Sequence, residues 1–78
     1  MDRENIRAAH AVFKSCVDIF PQSPNVHDSL AEVLVLMNEK VEALEHYRKA
    51  VMLAEEQKDR ELDVFKKNLA DFEEKHKL

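Results

Sequence analysis

The chain has no glycine anywhere in its 78 residues. Glycine is the residue that reaches positive φ without steric cost, so tight β-hairpins and phosphate-wrapping loops are hard to build here. Proline occurs only at Pro21 and Pro24. Ala, Leu, Glu and Lys dominate the remainder and all favour helix. These choices predict an all-α fold of about four helices. So short a chain buries only ~60% of the surface its unfolded form exposes. Its core must be economical, or a neighbour must complete it.

Apolar periodicity places the helices. Ile6, Ala9, Phe13, Cys16, Val17 and Phe20 recur at helical steps and line one face of a first helix, residues 3–20. Pro21 closes it, because proline cannot donate the next helical hydrogen bond. Ser23 then offers a cap, and Pro24 suits a first helical position, where its missing N–H costs nothing. Val26, Leu30, Val33, Leu34 and Met37 form the next stripe, widened by Ala31 and Val35 with Leu36 alongside. A stripe this broad predicts burial on two sides. Asn38 interrupts it, and asparagine tolerates the left-handed conformation that ends a helix. Val41, Leu44, Tyr47, Ala50, Val51 and Ala54 give a third stripe, so the short connection predicts an antiparallel hairpin across residues 24–55. Seven polar residues, Glu55 to Glu61, precede a last stripe of Leu62, Phe65, Leu69 and Phe72. The polar gap predicts a turn with Asp59 as cap and a separate helix over 59–77. A single continuous helix is the alternative, since no glycine or proline enforces a break. Glu45–Lys49, Glu56–Arg60, Asp63–Lys67, Asp71–Lys75 and Glu73–Lys77 are acid-before-base pairs at helical spacing, each worth about 0.2–0.5 kcal/mol.

Charge and composition exclude several functions. Twelve basic residues oppose sixteen acidic ones, a net charge of −4, with the signs interspersed. Nucleic-acid backbones require a basic stripe, so no nucleic-acid partner is expected. No apolar run approaches the ~20 residues of a membrane span, so no membrane partner is expected either. Met1 to Asn5 is charged and lacks the apolar stretch of a secretion signal. Cys16 is the lone cysteine and can form no internal disulfide. A reducing, cytoplasmic setting is the expectation.

With the stripes placed, Pro24 to Glu55 resembles one tetratricopeptide repeat, a helix pair of about thirty-four residues. Leu30 and Ala31 stand at that family's Leu-Gly couple, and Leu34 at its following aromatic. Ala43, Tyr47 and Ala50 match the Ala, aromatic and Ala of its second helix. One repeat length earlier, Ala9, Phe13, Cys16 and Pro21 fit the second half of the same pattern. The departures are His27 at a large-residue position, Ala31 and Asn38 for two glycines, Glu55 for a proline, and an absent first helix in the first repeat. Ser23 to Ala31 is also similar to the helix start in short tetratricopeptide tails that follow the catalytic domain of some bacterial serine hydrolases. The resemblance implies helices docked through small side chains. The charged fourth helix would cap the array.

The chemistry-bearing residues do not assemble a catalyst in the sequence. His10, His27, His46 and His76 show no metal-ligand spacing, with His27 expected at the hairpin start and His46 and His76 on polar faces. Cys16 reads as a small packing residue with no histidine placed to activate it. Ser15, Ser23 and Ser29 lack the glycine-flanked elbow of a nucleophile. The carboxylates mostly face away from the apolar stripes. No enzymatic activity, metal or cofactor is expected.

A protein or peptide partner is. The resemblance implies a groove along the second helix presenting Asn25, Asp28, Glu32, Val35 and Leu36, joined by Leu62, Lys66 and Leu69 from the fourth. Family members that hold chaperone C-termini place lysine and asparagine in this groove. Asp28 and Glu32 would instead repel a carboxylate, so an apolar or basic peptide fits better. The competing reading is that Val35 and Leu36 simply pack on the fourth helix. A second contact surface is expected on the first helix, where Phe13, Val17 and Phe20 pack inward and Ile6 and Val12 leave an apolar strip. An upstream domain or a second copy of the chain would cover it.

Overall fold

A computed structural model describes residues 2–77, and all its regular structure is helical. The elements are α1 (Arg3–Ile19), α2 (Pro24–Leu36), α3 (Lys40–Gln57) and α4 (Leu62–His76). Consecutive helices pack on one another, α2 against α3 most extensively. Gln57 at the end of α3 donates its side-chain amide to the carbonyl of Gln22, just before α2. The two helices therefore run side by side in opposite directions. The molecule measures 36 × 31 × 17 Å. Its thin dimension is less than two helix diameters of ~10–12 Å each, so no side chain lies far from solvent.

Each helix end has a local cause. Asp2 caps α1, its carboxylate accepting from the Asn5 N–H at 2.9 Å. Pro24 occupies the first turn of α2, but Ser23 makes no side-chain capping bond. Asn38 ends α2 at φ 62°, and the Glu39 N–H closes back onto the Leu34 carbonyl at 2.8 Å. Lys58 repeats the device after α3: φ is 54°, and the Asp59 N–H reaches the Ala54 carbonyl at 2.9 Å. The expected turn before α4 is present, although α3 first carries on through Gln57. Asp59 does not take the cap position. Its carboxylate accepts from the Glu61 N–H at 2.8 Å, holding the turn one step before the helix.

Lys58 pays a steric cost in this conformation that glycine would not. Lys58→Gly is expected to stabilise the protein by about 0.5–1 kcal/mol, the left-handed strain relieved less the extra freedom of the unfolded chain. Urea unfolding checks this. No gain would mean the α3–α4 turn relaxes away from positive φ in solution.

The core forms two adjoining clusters. Leu30, Ala31 and Leu34 of α2 meet Ala43 and Tyr47 of α3 and Phe72 of α4, with Phe13 and Val17 of α1 at the edge. Ala50, Ala54 and Phe65 form the second, edged by Val51 and Leu62. Ala31, Ala43, Ala50 and Ala54 are fully buried, so the helices approach where the side chains are shortest.

Several expectations need correction. The buried arc of α3 runs through Ala43, Ala50 and Leu53, while Val41 is 69% exposed. The apolar positions of this helix span more than half its circumference, so periodicity alone could not centre the arc. Phe20 was expected inward and is 58% exposed, because α1 ends at Ile19 and the chain turns away. α1 contains no buried residue, so Ala9, Phe13 and Cys16 are only half covered. Among the described residues, none of the acid–base pairs at four-residue spacing closes to ion-pair distance. Among the described residues the ion pair is between helices, Arg48 of α3 to Glu73 of α4 at 3.6 Å. Both side chains are largely exposed, so it adds little.

Candidate functional site: the cleft between α2 and α4

α3 lies between α2 and α4 in the chain, yet the side chains of α2 and α4 meet across it and leave an open cleft of about 210 Å³. Glu32 and Val35 of α2 form one wall. Asn68, Asp71, Lys75 and His76 of α4 form the other, and Tyr47 and Phe72 form the floor. The floor is aromatic because Tyr47 and Phe72 are stacked at a tilt, ring centres 5.1 Å apart. The His76 ring continues the surface, 4.7 Å from Phe72. Asp28, one turn before Glu32, closes the edge by accepting the Asn68 amide on both carboxylate oxygens at 3.2 and 3.3 Å.

The electrostatics are one-sided on the α2 wall. Partial burial pushes the Asp28 carboxyl above its usual range; the Asn68 bond lowers it, and the Glu32 charge raises it further. Burial also drives the Tyr47 phenol up to about 12, helped by the negative charges of Glu32 and Asp28. Tyr47 is 7% exposed, and its hydroxyl has no hydrogen-bond partner among the described residues.

Of the residues expected along a groove, only some reach this cleft. Asp28, Glu32 and Val35 lie at the cleft, and Val35 and Leu69 also pack on the core. Leu62 supports the second core cluster. Leu36, Asn25 and Lys66 are not brought in. A helix turns about 100° per residue, so Leu36 lies a full step past Val35 and is 55% exposed. It lines a different, more apolar cleft of about 390 Å³ with Arg3, Ile6, Arg7, Met37 and Asn38. Lys66 lies on the flank of α4 that also carries Glu73, the residue paired with α3. The sequence reading missed Tyr47 as a cleft residue, together with Asn68, Asp71, Phe72, Lys75 and His76. His76 is on the cleft and not on a polar face.

His46 also departs from its expected polar face. Its Nδ1 lies 3.0 Å from the Nδ1 of His27, and the rings stack with centres 5.2 Å apart. His27 is buried, and its Nε2–H donates to the Pro21 carbonyl at 2.9 Å. The Pro21 carbonyl can only accept, so neutral His27 accepts at Nδ1 from the Nδ1–H of His46. The pair ties the α1–α2 connection to α3. No third ligand joins it: among the described residues no cluster of three or more His, Cys, Asp or Glu could hold a metal.

This pair makes stability pH-dependent. Burial holds His46 below its usual value of 6.5, as does repulsion from His27, while Glu42 and Glu45 oppose the shift. The unfolded chain thus binds the proton first. His46 contributes full stability above 6.5, and this is lost as pH falls through the lower folded value. Asp28 has the opposite sign in a more acidic window, where its protonation relieves a buried charge. Thermal midpoints should fall between about pH 7 and 5, and His46→Gln should flatten that slope while keeping a donor for His27. An unchanged slope would exclude the pair as its source.

No helix among the described residues is long and apolar enough to cross a membrane. Comparison with family models, with curated proteins and with solved structures returns no match in any of the three.

Proposed function

We propose that the chain is a tetratricopeptide-type interaction module, not an enzyme, which binds a protein or peptide in the cleft between α2 and α4. The observation that carries this reading is a solvent-open cleft between two helices that are not neighbours in the chain, its floor an aromatic pair and its walls polar. Binding sites combine an apolar base with a few placed polar groups in this way. The buried alanines at 31, 43 and 50 support the tetratricopeptide reading, because that hairpin requires small residues at the crossing. Amide NMR of the labelled chain, titrated with apolar, basic and acidic peptides, tests the proposal. Shifts centred on Glu32, Val35 and Asn68 are the expected result, with acidic peptides the weakest. Shifts confined to other faces for every peptide would reject it.

A second reading has its own observation. α1 buries no residue and exposes Val12, Ile19 and Phe20. A structural appendage that pairs through α1 with another copy, or rests on a larger protein such as a hydrolase, would cover this strip. Light scattering that shows a dimer broken by Val12→Glu would favour it over the peptide-binding module.

A further inference from the structure

Resting on the peptide-binding reading of the same cleft, we infer that its specific occupant is the side chain of an arginine in the partner. Three carboxylates surround the cleft: Asp28 and Glu32 on α2 and Asp71 on α4. None forms an ion pair with a lysine or arginine among the described residues, and the sole partner of Asp28 is the neutral Asn68 amide. Lys75 is the one fixed cation on the rim, a turn beyond Asp71, and His76 is the one further basic group. The local balance stays negative. The carboxylates alone would mark only a solvated acidic surface.

Tyr47 makes the difference. More than nine-tenths of the residue is buried, so packing fixes its ring, and its hydroxyl makes no hydrogen bond among the described residues and opens onto the cleft. No buried side-chain nitrogen or oxygen among the described residues lacks a partner, so this hydroxyl is reached by solvent at the cleft, where an incoming donor can replace water on it. The phenol is pushed up to about 12 in part by Glu32 and Asp28, which places the hydroxyl within their negative field. A cationic donor entering the cleft would meet an acceptor at its base and carboxylates at its sides.

Shape and chemistry then choose among cations. At about 210 Å³ the cleft suits one long side chain and lies below the ~300 Å³ at which small-molecule pockets begin. Its floor and end are rings: Tyr47, Phe72 and His76. A guanidinium lies flat on aromatic faces, is weakly hydrated and offers five donors in a fixed fork. It can serve Glu32, Asp71 and the Tyr47 oxygen together. An ammonium is a strongly hydrated point charge that would have to give up its water for the same contacts.

The test uses the full 78-residue chain and three acetylated, amidated peptides, Ser-Ala-Xaa-Ala-Ser, with Xaa arginine, lysine or citrulline. Citrulline keeps the planar shape and removes the charge. The expected result is that the arginine peptide shifts the Tyr47, Asn68 and Phe72 resonances and binds roughly tenfold more tightly than citrulline and several-fold more tightly than lysine. Glu32→Gln and Tyr47→Phe should each weaken arginine binding by about three- to tenfold while leaving the circular dichroism unchanged. The Asp28 carboxyl should also titrate lower in the bound state. Equal binding of arginine and citrulline, or no loss in both variants, would overturn the arginine assignment and leave the peptide module standing. If these peptides and the apolar and acidic ones all leave the cleft unmoved, both readings fall.

Discussion

Phe65→Ala should cost about 3–5 kcal/mol of folding stability, the range for emptying a buried aromatic site. A 78-residue domain has roughly 4–12 kcal/mol in total, so this one change approaches the threshold of unfolding. Phe65 is 2% exposed and is among the largest fully buried side chains. It packs on the small side chains of Ala50 and Ala54 of α3. α4 has just two buried residues, Phe65 and Phe72. Removing one therefore loosens the whole helix along with the contact. Urea unfolding followed by circular dichroism should show a lower midpoint and a loss of helix in dilute buffer. A cost below about 1 kcal/mol would mean α4 is not held on α3 through this ring.

Ala31→Leu approaches the core from the opposite direction and should destabilise by about 1–3 kcal/mol or more. Ala31 is completely buried on the face that α2 presents to α3, together with Leu30, Leu34, Ala43 and Tyr47. A leucine adds three carbons where there is no space, so either α2 and α3 separate or a neighbour leaves its rotamer. Separation would also displace Tyr47 and Phe72 and hence the floor of the cleft. The same variant should therefore broaden the Tyr47 ring resonances in NMR. Retained stability with unchanged Tyr47 signals would show that the helices do not approach closely at Ala31. The reading of buried alanines as a hairpin crossing would then fail.

The first half of the architecture was legible from residue types. Absent glycine and abundant helix formers excluded sheet-rich folds. Pro21 and Pro24 bracketed the first break, and Asn38 marked the second by its tolerance of positive φ, which the structure shows at 62°. The third break was harder. Lys58 adopts the left-handed conformation at 54° with no residue preference for it, because hydrogen bonds closing α3 and the docking of α4 outweigh its local cost. The polar run to Glu61 signalled a turn without locating it.

The candidate site divides along the same line. Helical periodicity puts Asp28 and Glu32 on the polar side of α2 and Val35 at the edge of its apolar stripe, and only the tetratricopeptide resemblance implies that the three line a groove. Periodicity also finds the buried arc of α4 through Phe65, Leu69 and Phe72. That arc has two polar flanks, one with Asn68, Asp71 and Lys75, the other with Lys66 and Glu73, and nothing in their composition distinguishes them. Which flank meets α2 depends on the direction in which α4 crosses α3. Only the tertiary structure decides this, and it assigns Asn68 to Asp28 and Glu73 to Arg48. The pairing of His27 with His46 has the same origin, since two residues on different helices become neighbours only once the helices are docked. Local sequence determines what a helix buries, because that depends on spacing along one axis. Docking determines what two helices enclose, because that depends on the angle and offset between two axes.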